Sequence, residues 1–326
     1  MSKHSAITPG PDDDGRPKGP RGPSLVERAA NIYDFGTALR GPGMPAEPAP
    51  VSYAASPAAA SATPSVAQFV ADAAGAPVAP GFEGPAPEPR FGRVAIDELR
   101  DGGFVLPDSG PSALSEEFRI VKRQLLRGAD DAVNGRTILV CSARPDEGKT
   151  FCTINLAISL AAEKDVEVIL IDADVAKPEI LSTLGLEGGP GLIDAIADAH
   201  VDVEACLIRT DIPGLTVLPA GRQSHEATEL LASSRTKAVL DRLRTRDPRR
   251  VILFDSSPAL AASSASVLAM HCGQLLFVVR AEKTGEGDLR EALDMLSACP
   301  RPQLLLNGVE FGSASRRFGR HYGIDG

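Results

Sequence analysis

The chain lacks the features that would place it in or across a membrane. No apolar run approaches the roughly 20 residues that span a bilayer. Residues 1–22 are polar and proline-rich, without the apolar region of a secretory signal. We therefore expect a cytoplasmic protein with no direct membrane insertion; if it works at a membrane, another protein must bring it there.

Paired cysteines and an excess of basic residues are also missing. The five cysteines form no C-x-x-C pair and have no histidine partner at metal-ligand spacing, which argues against a zinc site or a disulfide framework. The net charge is -9, whereas surfaces that bind nucleic acid or anionic membranes need basic patches. We expect no nucleic-acid partner.

Prolines are concentrated near the N-terminus, where 16 of the 27 precede Phe91. Residues 1–90 are predicted to be a disordered arm rich in Ala, Pro and Gly. Within it, Leu25 to Leu39 has helical spacing and is either a docking helix or a helix that forms only transiently. Residues 91–312 are predicted to form the folded domain, and residues 313–326 a flexible basic tail.

Apolar, β-rich runs alternate with helical stretches in the predicted domain. The runs are continuous, as in strands of a parallel sheet covered on both faces. We predict a single doubly wound, mostly parallel α/β domain. The predicted strands are Thr137–Cys141, Val166–Ile171, Leu215–Leu218, Val251–Phe254, Leu275–Val279 and Gln303–Leu306. The predicted helices are residues 115–127, Lys149–Ala162, Ser234–Arg244, Ser263–Met270 and Gly287–Ser297. The first of these is expected to be capped by Ser112 or Ser115 and to stop at Gly128. Arg93–Phe104, before it, is predicted to be a short helical or extended lead-in.

The first predicted strand leads into a phosphate-binding loop that reads A-x-x-x-x-G-K-T, from Ala143 to Thr150. Such a loop wraps successive backbone N–H groups around a phosphate, and the helix N-terminus adds positive charge. Lys149 is expected to reach the β/γ oxygens and Thr150 to offer its hydroxyl to Mg²⁺. The sequence therefore predicts a P-loop site for ATP and Mg²⁺. The predicted nucleotide-binding residues are Ala143, Asp146, Glu147, Gly148, Lys149, Thr150, Phe151 and Asn307.

Carboxylates end two further predicted strands. Asp255 follows an apolar strand about 100 residues after the P-loop, the Walker B arrangement that places a carboxylate near the Mg²⁺ shell. Asp172 and Asp174, which are separated by one residue, follow the strand after the P-loop helix. One of this pair can help to hold metal while the other accepts a proton. We predict Thr150, Asp172 and Asp255 as metal ligands.

Together these motifs resemble the bacterial tyrosine kinases (BY-kinases) of polysaccharide export, a branch of the MinD/ParA-like P-loop ATPases. The resemblance extends from about residue 93 to 310. It is closer to the exosortase-associated tyrosine autokinase subgroup than to the family in general. The residues that carry it are Ile96–Pro107 (IDELRDGGFVLP), Ser115–Leu126, Ile171–Pro178 (IDADVAKP), Gly189–Ala195 (GPGLIDA), Leu215–Ala232 (LTVLPAGRQSHEATELLA) and Asp255-Ser256-Ser257-Pro258.

The resemblance implies roles for particular residues. Lys149, Asp172 and Asp174 would be catalytic, with Asp172 preferred as the base, although two adjacent carboxylates are not separable by spacing. The family's E-x-x-R-x-x-R helix assembles rings for phosphorylation in trans, and its counterpart here is Glu116, Arg119 and Lys122. The alternative for this helix is simple packing on its own sheet. Kinases of this family without membrane spans are activated by a transmembrane chain-length regulator, which we expect as the partner.

The chain departs from the family pattern at the P-loop and in the tail. Asp146 replaces the first glycine of P-G-E-G-K, so its carboxylate must point outward. Arg144 either acts across a dimer, as the second lysine of MinD-type relatives does, or faces solvent. The tail has a single tyrosine, Tyr322, instead of a cluster. Nearby cations would steer Tyr322 into an acidic site, or the tail is inert.

Three functions remain open from the sequence. The first is an ATP-dependent protein-tyrosine autokinase that governs exopolysaccharide assembly and phosphorylates Tyr322 of a neighbouring subunit. The second is a MinD/ParA-like ATPase switch in which Asp172 activates water. The third is a nucleotide-binding regulator of the export complex without turnover.

Overall fold

The computed structural model describes residues 89–107, 110, 112–129 and 134–309. The predicted arm helix at Leu25–Leu39 and the tail tyrosine Tyr322 lie outside these residues. In chain order the elements are β1 Arg90–Gly92, α1 Ile96–Asp101, α2 Ala113–Ala129, β2 Thr137–Ser142, α3 Lys149–Ala161, β3 Glu167–Ala173, α4 Ile180–Leu184, α5 Leu192–Ala197, α6 Val203–Cys206, β4 Ile208–Thr210, β5 Leu215–Leu218, α7 Ala227–Ala232, α8 Ser234–Arg246, β6 Arg250–Ser256, α9 Ser264–Ala269, β7 Gln274–Arg280, α10 Glu286–Met295 and β8 Pro302–Asn307.

The strands form one eight-stranded sheet in the order β1-β4-β5-β3-β6-β2-β7-β8. Every neighbouring pair is parallel except β4 and β5, which are antiparallel. Helices cover both faces of the sheet, and the buried side chains accordingly fall into two clusters, one on each face. The predicted doubly wound, mostly parallel α/β fold is confirmed.

The central strands are buried along their whole length, as their continuous apolar sequences predict. Every residue of β2 is buried, and so are six of the seven in β3 and in β6. Consecutive side chains of a strand point to opposite faces, so Leu253 joins one cluster and Phe254 the other. This burial on two faces fixes the register that places the carboxylates at the ends of β3 and β6.

The edge strand β8 contradicts the expectation that every strand is covered on both faces. Its residues alternate between exposed and half-buried, and Leu304 and Leu306 are each 58% exposed. Leu305, between them, packs against the cluster formed with α2 and α3. An edge strand has a sheet neighbour on one side only, and here one face of it is uncovered as well.

Helix α2 is longer than predicted at both ends. Ser112 precedes it, and the Ser112 and Ser115 hydroxyls each accept a hydrogen bond from the other residue's backbone N–H, at 3.1 and 2.8 Å. This reciprocal pair of hydrogen bonds identifies Ser112, rather than Ser115, as the N-cap residue of α2. The prediction that Gly128 stops the helix is wrong, because the helix continues to Ala129.

Other elements were not predicted, namely β1, β4 and the short helices α4 to α7. Strands β1 and β4 have three residues each, too few for a periodic pattern, and they pair with each other. The lead-in contains a helix, α1. None of the helices in the described part of the chain combines the length and apolarity needed to cross a membrane.

Candidate functional site

The predicted site residues meet at the carboxyl edge of three adjacent strands. The P-loop leaves β2, Asp172 lies in β3, and Asp255 lies in β6 between them. Asp172 is in register with Asp255, and Asp255 is in register with Val140 of β2. Because the strands are parallel, their carboxyl ends form one rim, where ligands bind in open α/β sheets.

The P-loop backbone reaches this rim through two residues with left-handed geometry. Gly148 has φ +88°, and a Cβ there would lie 2.0 Å from the Asn307 side-chain nitrogen, so only glycine fits. Asp146 has φ +61° and is exposed. Its carboxylate is thus at the protein surface, and its backbone conformation is one that glycine adopts with less strain.

Lys149 and Thr150 both bind Asp255. The Lys149 Nζ lies 2.7 Å from one carboxylate oxygen of Asp255, and the Thr150 hydroxyl donates to the other at 2.7 Å. Lys149 is 7% exposed and Asp255 1%, so this is a buried ion pair. Burial raises the pKa of Asp255, while Lys149 and the two hydroxyl donors Thr150 and Thr153 lower it.

Asp172 is fully buried, and only one of its two carboxylate oxygens has a hydrogen-bond partner. Its Oδ2 accepts a hydrogen bond from the Ile180 N–H at 3.0 Å, and its Oδ1 has no partner. Burial raises the pKa of Asp172 to about 7, and the nearby Asp255 charge raises it too, against lowering by the Ile180 N–H and Lys149. A carboxyl that titrates near neutrality is suited to exchanging a proton.

Asp174 points into the same rim with its oxygens engaged. It accepts from the Ser257 hydroxyl at 2.7 Å and from the Lys177 N–H at 3.3 Å, and its second oxygen lies 3.7 Å from Lys149 Nζ. Lys149 therefore lies between Asp174 and Asp255, closer to Asp255. Two carboxylates, one in β6 and one just after β3, flank the cation predicted to bind phosphate.

The remaining predicted nucleotide residues surround the loop. The Asn307 amide donates to the Glu147 carbonyl at 2.9 Å, so the end of β8 holds the P-loop backbone. Ala143 is buried, and its carbonyl accepts from the Leu260 N–H at 3.1 Å. The Phe151 ring packs on that of Phe104, with centroids 4.8 Å apart. Their predicted roles in nucleotide binding stay predictions.

The acidic rim fits a magnesium ion. Mg²⁺ prefers hard oxygen ligands and keeps several waters beside one or two carboxylates and substrate phosphates. The unpartnered, buried Oδ1 of Asp172 and the hydroxyl of Thr150 beside Asp255 supply oxygens of this kind. Within the described residues, no group of three or more His, Cys, Asp or Glu is arranged to hold a metal by itself.

Arg144 pairs within its own chain. Its guanidinium binds Asp288 of α10 through both oxygens, at 2.5 and 3.0 Å, and the arginine side chain is 61% exposed. This pairing raises the pKa of Arg144 and lowers that of Asp288. Arg144 thus links the P-loop to the first turn of α10.

The predicted oligomerisation residues divide between surface and interior. Glu116 is exposed, Arg119 is half-buried, and the two pair with each other at 2.7 Å. Lys122 is buried; its ammonium donates to the Ser159 carbonyl at 2.8 Å and pairs with Glu163 at 2.7 Å. It thus ties α2 to α3 within the chain, whereas the resemblance implied a role for it in ring assembly. A role for the three residues between subunits stays a prediction.

Three further residues shape the site and were not predicted from the sequence. Thr153 donates to Asp255 at 3.1 Å, Ser257 to Asp174, and Thr284 to Glu147. Thr153 lies one helical turn after Lys149, a spacing that could have identified it. Thr284 lies 137 positions from Glu147 with no motif around it, so no sequence pattern pointed to it.

Curated relatives of this chain are bacterial tyrosine kinases. EpsB of Ralstonia solanacearum is 32% identical over 181 residues, which are 56% of this chain and 24% of EpsB. Tyrosine-protein kinase ptk of Acinetobacter johnsonii is 26% identical over 53% of this chain and 23% of its own length. The chain thus spans about a quarter of these relatives. Tyrosine-protein kinase YwqD of Bacillus subtilis is 26% identical over 65% of this chain and 88% of its own length.

Solved structures give the same result. The kinase domain of VpsO is 28% identical with a TM-score of 0.54, over 66% of this chain and 98% of that domain. The BceF tyrosine kinase domain is 25% identical with a TM-score of 0.54, over 66% and 90%. No protein-family model matches the chain. The sequence and structural comparisons agree that the matched part of this chain is similar to bacterial tyrosine kinases.

Proposed function

We propose that this chain is an ATP-dependent protein-tyrosine autokinase that regulates exopolysaccharide chain length or export. The observation that carries the proposal is the meeting of Lys149, Thr150, Asp172, Asp174 and Asp255 on one rim of the sheet. A phosphate-binding lysine, a hydroxyl and carboxylates from two further strands are the parts that phosphoryl transfer requires.

Each residue has a distinct task in this proposal. Lys149 leaves Asp255 to bind the β/γ-phosphate oxygens, which frees Asp255 and Thr150 for the metal shell. Mg²⁺, when bound, would neutralise the charge of the triphosphate. Asp172 accepts the proton of the incoming tyrosine hydroxyl, because its burial and the nearby Asp255 charge raise its pKa and favour the protonated form. Catalysis comes mainly from positioning and charge neutralisation.

The acceptor and the partners complete the proposal. Tyr322 of a neighbouring subunit in a homo-oligomer receives the phosphoryl group, and the cytoplasmic end of a transmembrane chain-length regulator activates the kinase. The cellular setting is the cytoplasmic side of the inner membrane. A relative from Rhizobium meliloti, 29% identical over 64% of this chain, is named a succinoglycan biosynthesis transport protein, which supports the link to polysaccharide.

A labelling experiment tests the activity. The purified chain is incubated with Mg²⁺ and ATP labelled in the γ-phosphate, and label is mapped by mass spectrometry. The chain has three tyrosines, so Tyr33→Phe and Tyr53→Phe are matched controls for Tyr322→Phe. We expect label on Tyr322 that is lost in Lys149→Met and unaffected by either control substitution.

Mixing two variants, neither of which is labelled on Tyr322 by itself, tests transfer between subunits. Lys149→Met retains the acceptor and Tyr322→Phe retains the P-loop, so label on the Lys149→Met chain in the mixture demonstrates transfer in trans. Release of free phosphate without labelled protein would instead favour the MinD/ParA-like ATPase switch. Nucleotide binding with neither product would favour the regulator without turnover.

A further inference from the structure

The buried side chain of Glu147 connects the P-loop to the turn between β7 and α10. Glu147 is 4% exposed although it lies in the loop predicted to hold phosphates. One carboxylate oxygen accepts from the Thr284 hydroxyl, and the other accepts from the Arg144 N–H at 3.0 Å. A buried carboxylate is costly unless donors satisfy its oxygens. The Thr284 hydroxyl is therefore one of two groups that keep this side chain inside.

The orientation of the Thr284 hydroxyl is set by its own environment. Its oxygen accepts from the Arg280 N–H at 2.8 Å, so the single hydroxyl proton is free to point at Glu147. The turn is closed further by the Thr284 N–H, which donates to the Arg280 carbonyl at 3.0 Å. A hydroxyl with one donor and one acceptor partner has a defined direction.

The backbone of Glu147 is held from the other side. The Asn307 amide donates to the Glu147 carbonyl at 2.9 Å, and the Asn307 carbonyl accepts from the Ala281 N–H at 2.9 Å. The turn after β7 thus makes two contacts that bear on Glu147. Its Ala281 N–H binds Asn307, which holds the Glu147 backbone, and its Thr284 hydroxyl binds the Glu147 side chain. These contacts form a closed circuit through Glu147, Thr284, Ala281 and Asn307.

We infer that Thr284 is a positioning residue for the phosphate-binding loop. By holding the Glu147 carboxylate inside, Thr284 keeps the backbone N–H groups of residues 146–149 directed at the phosphates. Without this donor the carboxylate turns towards water, and the attached backbone moves with it. This inference rests on the proposed nucleotide binding and adds to it a residue outside the known motifs.

Two substitutions separate the hydroxyl from the shape of the side chain. Thr284→Val keeps the branched shape and removes the donor, whereas Thr284→Ser keeps the donor. We expect Thr284→Val to weaken the binding of Mg-ADP about tenfold, because one buried acceptor is left unpaired. We expect Thr284→Ser to bind within about threefold of the unmodified chain. In kinase assays Thr284→Val should raise the KM for ATP and leave kcat nearly unchanged.

Asp288→Asn is the matched control, because it weakens the exposed link between Arg144 and α10 and leaves Glu147 untouched. Exposed ion pairs contribute little to stability, so the affinity of Asp288→Asn for Mg-ADP should stay within about twofold of that of the unmodified chain. Titration calorimetry of the full chain gives all four affinities. Equal affinity of Thr284→Val and the unmodified chain would overturn the inference, as would a loss in Thr284→Ser as large as in Thr284→Val.

Hydrogen exchange on the unmodified chain tests the inference without any substitution. We expect Mg-ADP to slow exchange of the Arg280 and Arg144 amides, which donate to Thr284 and Glu147. Bound nucleotide that leaves both rates unchanged would overturn the inference and leave the proposed function standing. An unmodified chain that binds no Mg-ADP would refute the proposed function itself.

Discussion

Replacing Asp172 with asparagine should stabilise the ligand-free protein at alkaline pH. Asp172 is fully buried, and one of its oxygens has no partner. Its pKa rises from 3.8 to about 7 on folding. The folded protein therefore binds more protons than the unfolded chain between these pH values, and this group makes stability fall as pH rises from about 4 to about 7.

The size of the effect follows from that shift. A rise of about three pH units corresponds to about 4 kcal/mol of lost stability once the group is ionised in both states. About two of those units lie above pH 5, so the advantage of Asp172→Asn should grow by about 2–3 kcal/mol between pH 5 and pH 8. The asparagine N–H without a partner costs about 1–3 kcal/mol, but that cost does not vary with pH.

Urea unfolding with a chelator present, at pH 5 and pH 8, measures this difference for the two proteins. Asp247→Asn is the control, because hydrogen bonds from Arg249 lower the pKa of Asp247 below 3.8. Asp247 is therefore ionised in the folded and the unfolded protein at both pH values, and the effect of this substitution on stability should be the same at pH 5 and pH 8. A stability difference between Asp172→Asn and the unmodified chain that is the same at both pH values would refute the reasoning.

Further substitutions test the backbone, the buried ion pairs and the core. Asp146→Gly should raise the free energy of unfolding by about 0.5–1 kcal/mol, because glycine adopts φ +61° without strain, whereas Asp146→Ala should not raise it. Glu204→Ala should lower the free energy of unfolding by about 3 kcal/mol, because it leaves Arg250 without its buried bidentate partner. The control substitution Glu286→Ala, which removes an exposed ion pair with Arg290, should have little effect. Phe254→Ala should cost about 3–5 kcal/mol, because the ring is fully buried between strand and helices. Urea titrations check all five expectations, and equal losses for Glu204→Ala and Glu286→Ala would contradict the argument about burial.

The motifs were predictable from the sequence because their chemistry requires particular residues at short spacing. The P-loop needs glycine next to lysine and a hydroxyl residue, so residues 148–150 identify it. The two acidic strand ends were predictable because continuous apolar runs precede Asp172 and Asp255. A parallel sheet then brings their carboxyl ends to one rim, whichever strands separate them in sequence.

Short elements and edge effects were not predictable in this way. The three-residue strands β1 and β4 are held by each other and by the neighbouring sheet, so their local sequence carries little signal. The exposure of Leu304 and Leu306 depends on β8 being the last strand of the sheet. Neither property is contained in a window of neighbouring residues.

By itself, the sequence determined the alternation of apolar strands with helices and the residue types of the phosphate loop, since both depend on local pattern. Only the tertiary structure decided the direction of each polar side chain. It turned Lys122 inward to Ser159 and Glu163, paired Lys149 with Asp255, and brought Thr284 to Glu147. These partners are 37 to 137 positions apart, and a buried charge takes whichever donor or acceptor the folded chain places beside it.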